Sequence, residues 1–209
     1  MSVPIFVHVV DDDKMVRDSL GDLLRSMDYQ VTLHGSVAEF LDAELPDAPS
    51  CLLLDVRLPH TSGLELQDYL ARKDIRLPII LMTGYGDVPM SVKAMKAGAV
   101  DFLTKPLRHQ DLLDAVATAI RMDHDQRQKG ERIAELRKRY ELLTPRERQV
   151  VALVASGLMN KQIANELSIN EVTVKMHRGS AMRKLRLRSA AQLARIAHPL
   201  FDGDLRDPL

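Results

Sequence analysis

The order of apolar and polar residues in the first 120 positions repeats one unit, a short apolar run followed by apolar residues at helical spacing. The apolar runs are 5–10, 30–33, 51–54, 79–83 and 100–103. Helical spacing follows in segments 16–27, 37–45, 64–72, 90–97 and 110–120. This alternation predicts a five-stranded, doubly wound parallel α/β sheet of the flavodoxin-like kind, with helices on both faces.

Residues that can bind ions or take part in reactions lie at the ends of four of these runs. Asp11 and Asp12 follow the first run, Asp55 follows the third, Thr83 ends the fourth, and Lys105 comes just after the fifth. Because the carboxyl ends of parallel strands meet at one edge, we expect these side chains to converge there. Acidic residues at such a place can simply cap the next helix. Carboxylates that face each other across one edge also suit Mg²⁺.

The pattern changes after residue 120. Met122 is followed by ten residues without an apolar side chain, a composition that indicates a solvated linker rich enough in Arg, Gln and Glu to be helical. Apolar residues return at positions 133, 136, 140 and 143, which is a helical stripe. We expect this stripe to pack on the domain that follows, with a partner chain as the alternative.

Three further helices are predicted after this stripe. Thr144 can cap the first, Pro145 suits its first position, and Glu147 completes a capping box. A second helix begins at Asn160, and Asn170 can cap a third that runs to about residue 185. Two helices joined by a three-residue turn form a helix-turn-helix, whose recognition helix enters the DNA major groove.

Composition and charge agree with two domains of different character. The chain is 45% hydrophobic and 28% charged, which is ordinary for a globular protein. Residues 1–122 hold 12 Lys and Arg against 18 Asp and Glu, whereas residues 123–209 hold 17 against 11. This asymmetry favours an acidic regulatory or catalytic half and a basic half that meets nucleic acid. The lone Cys51 and the absence of a long apolar segment or signal peptide predict a cytoplasmic protein without a membrane span.

Residues 1 to about 121 resemble the receiver domain of two-component response regulators. Four stretches carry the resemblance: Val10-Asp11-Asp12-Asp13, Leu54-Asp55-Val56-Arg57-Leu58-Pro59, Thr83-Gly84 and Asp101-Phe102-Leu103-Thr104-Lys105-Pro106. The resemblance implies that Asp55 accepts a phosphoryl group from a sensor histidine kinase. It implies that Mg²⁺ is held by Asp11, Asp12, Asp55 and the backbone carbonyl of Arg57.

The resemblance also assigns roles around the phosphoryl group. Lys105 would pair with the phosphoryl oxygens, Thr83 would hydrogen-bond the phosphorylated form, and the rotamer of Phe102 would follow. Arg57 and Tyr85 would flank the site of water attack. Haloacid-dehalogenase-type phosphatases, which also use a strand-end Asp, are an alternative, but they need a carboxylate where this chain has Arg57. We therefore expect no enzyme activity beyond phosphoryl transfer to Asp55 and hydrolysis from it.

The second half resembles the LuxR-type helix-turn-helix domain. The stretches that carry this resemblance are 143–150, 157–164 and Thr173-Val174-Lys175-Met176-His177-Arg178. On the third helix, Val174, His177, Ala181 and Leu185 should face inward. The opposite face should contact DNA, with base edges contacted by Lys175 and Met176 and phosphates contacted by Arg178, Arg183, Lys184, Lys161 and Thr173. Gly179 departs from relatives that carry a longer side chain there.

The whole chain is thus similar to a FixJ-type response regulator, a transcription factor switched by phosphorylation. We expect a receiver over 1–121, a linker over 122–138 and the DNA-binding domain over 139–204. An RNA-binding antiterminator is an alternative, although its output lacks a capped helix-turn-helix pair. The halves could communicate through masking of the recognition helix, or through a phosphorylation-dependent homodimer whose face is formed by 90–97 and 100–103.

Overall fold

The computed structural model describes residues 3–59, 61–84, 88–189 and 191–193. The chain divides into two compact units, Met1–Arg127 and Gln128–Leu209. Tyr85 and residues 194–204, on which two of the expectations fall, lie outside the described residues. Over the described ranges, none of the helices combines the length and the apolar character that a membrane span requires.

The first unit alternates strands and helices as the sequence pattern predicts. The strands are β1 (Phe6–Val10), β2 (Gln30–His34), β3 (Ser50–Asp55), β4 (Ile79–Thr83) and β5 (Asp101–Thr104). The helices are α1 (Lys14–Ser26), α2 (Val37–Leu41), α3 (Gly63–Arg72), α4 (Val88–Lys96) and α5 (His109–Glu141). The strands pair in parallel in the order β2-β1-β3-β4-β5, which confirms the doubly wound sheet.

Apolar cores on both faces of the sheet explain why the strands read as continuous apolar runs. Every residue of β3 is buried. Cys51 and Leu53 belong to the core beneath α1 and α5, whereas Leu52 and Leu54 belong to the core beneath α2, α3 and α4. A shift of β3 by one residue would exchange its side chains between the two cores, and it would also move Asp55 from its place at the end of the strand.

Two elements differ from the expected lengths. α2 ends at Leu41, with Asp42 as its C-cap, rather than at residue 45. α5 continues to Glu141, and the boundary between the two units falls inside it. The polar stretch after residue 120 is therefore helical.

The start of the expected linker is part of the first unit. Asp123 is only 3% exposed. Its carboxylate accepts hydrogen bonds from the backbone N–H of Ser50 at 2.9 Å and from Arg127 Nε at 2.7 Å. A buried carboxylate is stable only when it is paired in this way. The contact joins α5 to the first residue of β3, across 73 positions of sequence.

The second unit is helical. It contains the end of α5 and three further helices, α6 (Pro145–Ala155), α7 (Asn160–Glu166) and α8 (Glu171–Lys184). Leu136 and Tyr140 of α5 pack against a core that includes Leu143, Val150 and Ile163. The apolar stripe that follows the polar stretch therefore packs within its own unit, as predicted.

The helix starts of this unit carry the predicted caps. Thr144 Oγ1 accepts a hydrogen bond from the Glu147 backbone N–H at 3.3 Å, and Glu147 Oε2 accepts one from the Thr144 N–H at 2.8 Å. Asn170 Oδ1 accepts from the Thr173 N–H at 2.7 Å at the start of α8. Gly157, with a φ of +90°, follows α6 in the left-handed conformation that glycine favours.

Glu147 also forms a buried ion pair that the capping pattern does not reveal. Its carboxylate lies 2.7 Å from Lys184 Nζ, and Glu147 is 4% exposed. Burial alone would raise the pKa of Glu147, but hydrogen bonds from Lys184, Ser180 and the Thr144 N–H outweigh it and lower the pKa to about 2. The pair ties the start of α6 to the end of α8.

This pair should make the second unit acid-sensitive. Because the pKa of Glu147 lies below its ordinary value of 4.5 in the folded state, its stabilising contribution is complete above about pH 4.5 and is lost as the pH falls towards 2. Lys184→Met should lower the free energy of unfolding at pH 7 by about 1 to 3 kcal/mol and weaken this pH dependence. Urea unfolding of residues 128–209 at several pH values measures both effects. The exposed neighbour Arg183→Met is the control, and equal stabilities of the two variants would contradict the assignment.

Candidate functional site

The predicted residues converge at the carboxyl edge of the sheet. Asp11 follows β1 directly, Asp55 ends β3, Thr83 ends β4 and Lys105 follows β5. Asp11 and Thr83 are completely buried, and Asp55 is 6% exposed. Since β1, β3, β4 and β5 are successive neighbours in the sheet, their ends bring residues from distant parts of the chain into one site.

Lys105 bridges the two buried carboxylates. Its Nζ lies 2.6 Å from Asp11 Oδ2 and 2.5 Å from Asp55 Oδ2. Burial alone would lower the pKa of Lys105, but the hydrogen bonds and charges of Asp11 and Asp55 raise it above its ordinary value. The backbone N–H of Lys105 donates to the Thr83 carbonyl at 2.7 Å, which fixes the position of the residue beside β4. The ammonium is therefore charged at neutral pH and is held in place.

The acidic residues after β1 have different roles. Asp13 accepts a hydrogen bond from the Met15 N–H at 2.8 Å and caps α1. Asp11, Asp12 and Asp55 instead place one oxygen each within 4.8 Å of one another. Three carboxylates beside one ammonium leave excess negative charge, and an all-oxygen ligand set suits a hard divalent cation. This acidic pocket could bind a divalent metal ion.

The loop after β3 holds Asp55 in place through contacts that sequence reasoning missed. The backbone N–H of Arg57 donates to Asp55 Oδ1 at 3.0 Å. Gly63 begins α3 so close to β3 that a Cβ there would lie 2.3 Å from the Asp55 carbonyl oxygen. Only glycine allows this approach. The Ser62-Gly63 pair, a helix cap followed by glycine, was the available signal in the sequence.

A second contact that sequence reasoning missed comes from α1. Arg17 Nη1 donates to the Asp11 carbonyl oxygen at 2.5 Å, which ties the helix to the loop that carries Asp11. Arg17 lies one helical turn beyond the cap Asp13, and its backbone N–H donates to the Asp13 carbonyl at 3.0 Å. That spacing was a weak signal, because many exposed arginines occupy such positions.

Thr83 and Phe102 lie on the adjacent strands β4 and β5. Phe102 is half-buried, pairs in register with Leu81 and packs against the core beneath α3 and α4. Gly84 follows Thr83, and a Cβ at Gly84 would meet no described atom within 4 Å. The switching roles of Thr83 and Phe102, and the metal contact of the Arg57 carbonyl, stay predictions.

In the second unit, α8 has the two faces that its sequence predicts. Val174, Ala181 and Leu185 are buried, and His177 is half-buried beside them. The opposite face is exposed and consists of Val172, Lys175, Met176, Gly179 and Arg183. An exposed cation beside the 68% exposed Met176 suits a surface that meets both polar and methyl groups of bases.

The predicted DNA-contact residues differ in how free their side chains are. Lys161 and Arg183 are exposed, and Lys175 forms a 3.1 Å surface ion pair with Glu171. Three others are held by hydrogen bonds within the unit: Thr173 Oγ1 to Asn170 at 2.8 Å, Arg178 to Asn160 at 2.8 Å and Lys184 to Glu147 at 2.7 Å. No measured contact with DNA tests these seven assignments, which stay predictions. Lys184 has a structural role in any case.

Comparison with known proteins identifies both units. Residues 7–117 match the model of the response regulator receiver domain, and residues 141–197 match the model of the LuxR family of bacterial regulatory proteins. The chain is 51% identical to nodulation protein W of Bradyrhizobium diazoefficiens over 95% of its own length and 88% of that protein. It is 43% identical to the transcriptional regulatory protein FixJ of Azorhizobium caulinodans over 91% of its own length and 90% of that protein.

A solved structure shows the same two-part architecture. The response regulator StyR is 45% identical in sequence and superposes with a TM-score of 0.78. The match covers 93% of this chain and 98% of that chain. Both the sheet of the first unit and the helices of the second therefore have counterparts in one known protein.

Proposed function

The chain belongs to the response regulators that join a receiver domain to a LuxR-type DNA-binding domain, and from this premise we propose that Asp55 is its phosphoacceptor. The protein is a transcriptional regulator rather than a classical enzyme. Its second domain matches the LuxR family, so the antiterminator alternative is not favoured. The phosphoryl donor we propose is a sensor histidine kinase.

The observation that carries this proposal is the Lys105 ammonium between Asp11 and Asp55, at 2.6 and 2.5 Å. In the transfer, a carboxylate oxygen of Asp55 bonds to phosphorus while the bond from phosphorus to the imidazole nitrogen of the donor breaks. Lys105 stabilises the charge on the phosphoryl oxygens without acting as a base. We assign Mg²⁺ to Asp11, Asp12, Asp55 and the Arg57 carbonyl; when bound, it would supply further positive charge to the transferring group.

After transfer, Thr83 and Phe102 are the residues we propose to respond. The Thr83 hydroxyl would donate a hydrogen bond to a phosphoryl oxygen, and the missing side chain at Gly84 would leave room for that group among the described residues. Phe102 is only half-buried, so its ring has room to change rotamer. Hydrolysis of the acyl phosphate by water, with Arg57 and Tyr85 beside the site, would return the receiver to its starting state.

Phosphorylation should require Asp55 and a divalent cation. Full-length protein incubated with acetyl phosphate and Mg²⁺ should gain the mass of one phosphoryl group, and a chelator or Asp55→Asn should abolish the gain. Asp13→Asn is the matched control, because Asn caps a helix as well as Asp does and should leave labelling intact. Intact-mass spectrometry gives the answer directly. Full labelling of Asp55→Asn would mean that another residue is the acceptor.

For the second domain we propose that α8 enters the DNA major groove. Lys175 and Met176 would contact base edges. Phosphates would be contacted by Lys161, Thr173, Arg178, Arg183 and Lys184. We propose residues 1–121 as the receiver and 139–204 as the DNA-binding domain. The connecting segment 122–138 is then a helix whose first residues belong to the first unit. We also propose a cytoplasmic location, because both proposed partners, DNA and a sensor kinase, would have to be reached from the cytoplasm.

Base and phosphate contacts should respond differently to mutation. If the domain touches about five phosphates, the logarithm of affinity should fall with the logarithm of salt concentration with a slope of about −4 to −5. Lys175→Ala should relax sequence preference, whereas Lys161→Ala should weaken binding to operator and random duplexes by the same factor. Fluorescence anisotropy with both duplexes separates these effects. Equal losses of preference in both variants would show that the reading face is assigned wrongly.

We further propose that phosphorylation converts the protein from monomer to homodimer through 90–97 and 100–103. Exposed apolar side chains on α4 support this face, since Val92 is 45% and Met95 is 46% exposed. Conversion of a mostly inactive population to a mostly active one needs a difference of about 5 kcal/mol between the states. Charge-assisted hydrogen bonds of the phosphoryl group with Lys105 and Thr83 are of the kind that can supply part of it.

The dimer can be tested by light scattering before and after phosphorylation. Val92→Glu should still be phosphorylated but should stay monomeric, because a charge would be placed in the apolar face. Met27→Glu introduces the same charge at another exposed apolar position of the receiver and should dimerise normally. A phosphorylated wild-type protein that stays monomeric would rule out this switch.

A further inference from the structure

Gly179 lies in the middle of the recognition helix, and no packing contact with the described residues requires a glycine there. α8 runs unbroken from Glu171 to Lys184, and Gly179 is exposed on the face that carries Lys175 and Met176. A glycine at such a position destabilises a helix relative to alanine. A Cβ at Gly179 would meet no described atom within 4 Å, so close packing does not require glycine here.

The missing side chain opens a hollow on the surface of this domain. The hollow has a volume of about 300 Å³. Its lining combines the cations Lys175, Arg178 and Arg188 with Gly179, the polar Asn160 and Ser189, and the apolar Met182 and Leu187. None of the described residues that line it is acidic. The hollow therefore favours an anion.

Hydrogen bonds within the domain hold the side chain of Arg178 and the backbone of Arg188 in place. Arg178 Nη1 donates to Asn160 Oδ1 at 2.8 Å, which uses one of the five N–H donors of its guanidinium. Arg188 lies just beyond α8, where its backbone N–H donates to Gln192 Oε1 at 2.7 Å. Gln192 in turn donates its backbone N–H to Ser189 Oγ at 3.2 Å. The backbone that carries Arg188 is thus fixed.

We propose that this hollow seats a phosphate of the DNA backbone between Arg178 and Arg188, and that Gly179 lets that phosphate approach α8 closely. The guanidinium groups present only donors in a planar fork, which matches the acceptor oxygens of a phosphate. The proposal rests on the DNA-binding role assigned to α8 above. It adds Arg188 and Gly179 to the residues that determine affinity.

Enlarging Gly179 is the first test, on the full-length chain after incubation with acetyl phosphate. Gly179→Ala and Gly179→Leu should raise the melting temperature of the domain by about 2 to 6 °C through better helix propensity. Gly179→Leu should nevertheless weaken binding to an operator selected from a random pool and to a random duplex by the same factor, roughly tenfold. Gly130→Leu is the matched control, because Gly130 lies within α5 and a Cβ there also meets no described atom within 4 Å. Gly130→Leu should change the affinity for neither the selected operator nor the random duplex.

Removing the cation is the second test. Arg188→Ala should weaken binding to both duplexes by the same factor, and it should make the slope of log affinity against log salt shallower by about one phosphate contact. Substitution of the exposed Arg132 by Ala should have neither effect. If Gly179 and Arg188 serve the same phosphate, the double variant should bind no more weakly than the weaker single variant. Additive losses would overturn a shared seat.

The outcomes separate this inference from the proposal on which it rests. A wild-type chain that binds no duplex would overturn both. Normal wild-type binding together with wild-type affinity in Gly179→Leu would overturn the phosphate seat alone. A loss confined to the selected operator would also overturn it, because the hollow would then face a base rather than the backbone.

Discussion

Two buried carboxylates lie next to each other at the edge of the receiver sheet, and the Lys105 ammonium between them makes the arrangement stable. Without that cation, Asp11 and Asp55 would repel each other in a place with little water to solvate them. The rest of the receiver serves this contact. The pairing of Val10 with Leu54 aligns the two acid-bearing strand ends, and the Lys105 N–H bound to the Thr83 carbonyl holds the lysine beside them. Two carboxylates that share one ammonium still leave excess negative charge, so the phosphoryl group proposed for Asp55 would add to a site that is already negative.

The sequence was sufficient to predict the sheet and the convergence of the strand-end residues at one edge, because both follow from local patterns. Apolar runs alternating with helical stripes indicate a parallel sheet, and a polar residue at the end of each run must lie at its carboxyl edge. Contacts between distant residues left no such signal. The pairs Asp123 with Ser50 and Lys184 with Glu147 span 73 and 37 positions, and either acid could equally have faced solvent. The early end of α2 was missed because its apolar spacing continues to Leu45, four residues beyond the last helical residue.

In the DNA-binding domain, the basic residues do not all serve one purpose. Lys184 is committed to Glu147 inside the domain, Arg178 is braced by Asn160, and Lys161 and Arg183 extend into solvent. A count of positive charges therefore overstates how many are free to meet phosphates. The shape of the α8 face that carries Lys175 and Met176 depends on the missing side chain at Gly179, and its charge depends on the surrounding cations.

The hydrogen bond from the Ser50 N–H to Asp123 has a mechanical consequence for the strand that carries Asp55. β3 is six residues long, and it is clamped at its first residue by Asp123 and at its last by Lys105. A strand gripped at both ends, with cores on both faces, cannot slide along its own axis. A displacement of Asp55 must therefore be taken up by the loops and neighbouring strand ends at that edge, while the sheet itself keeps its position.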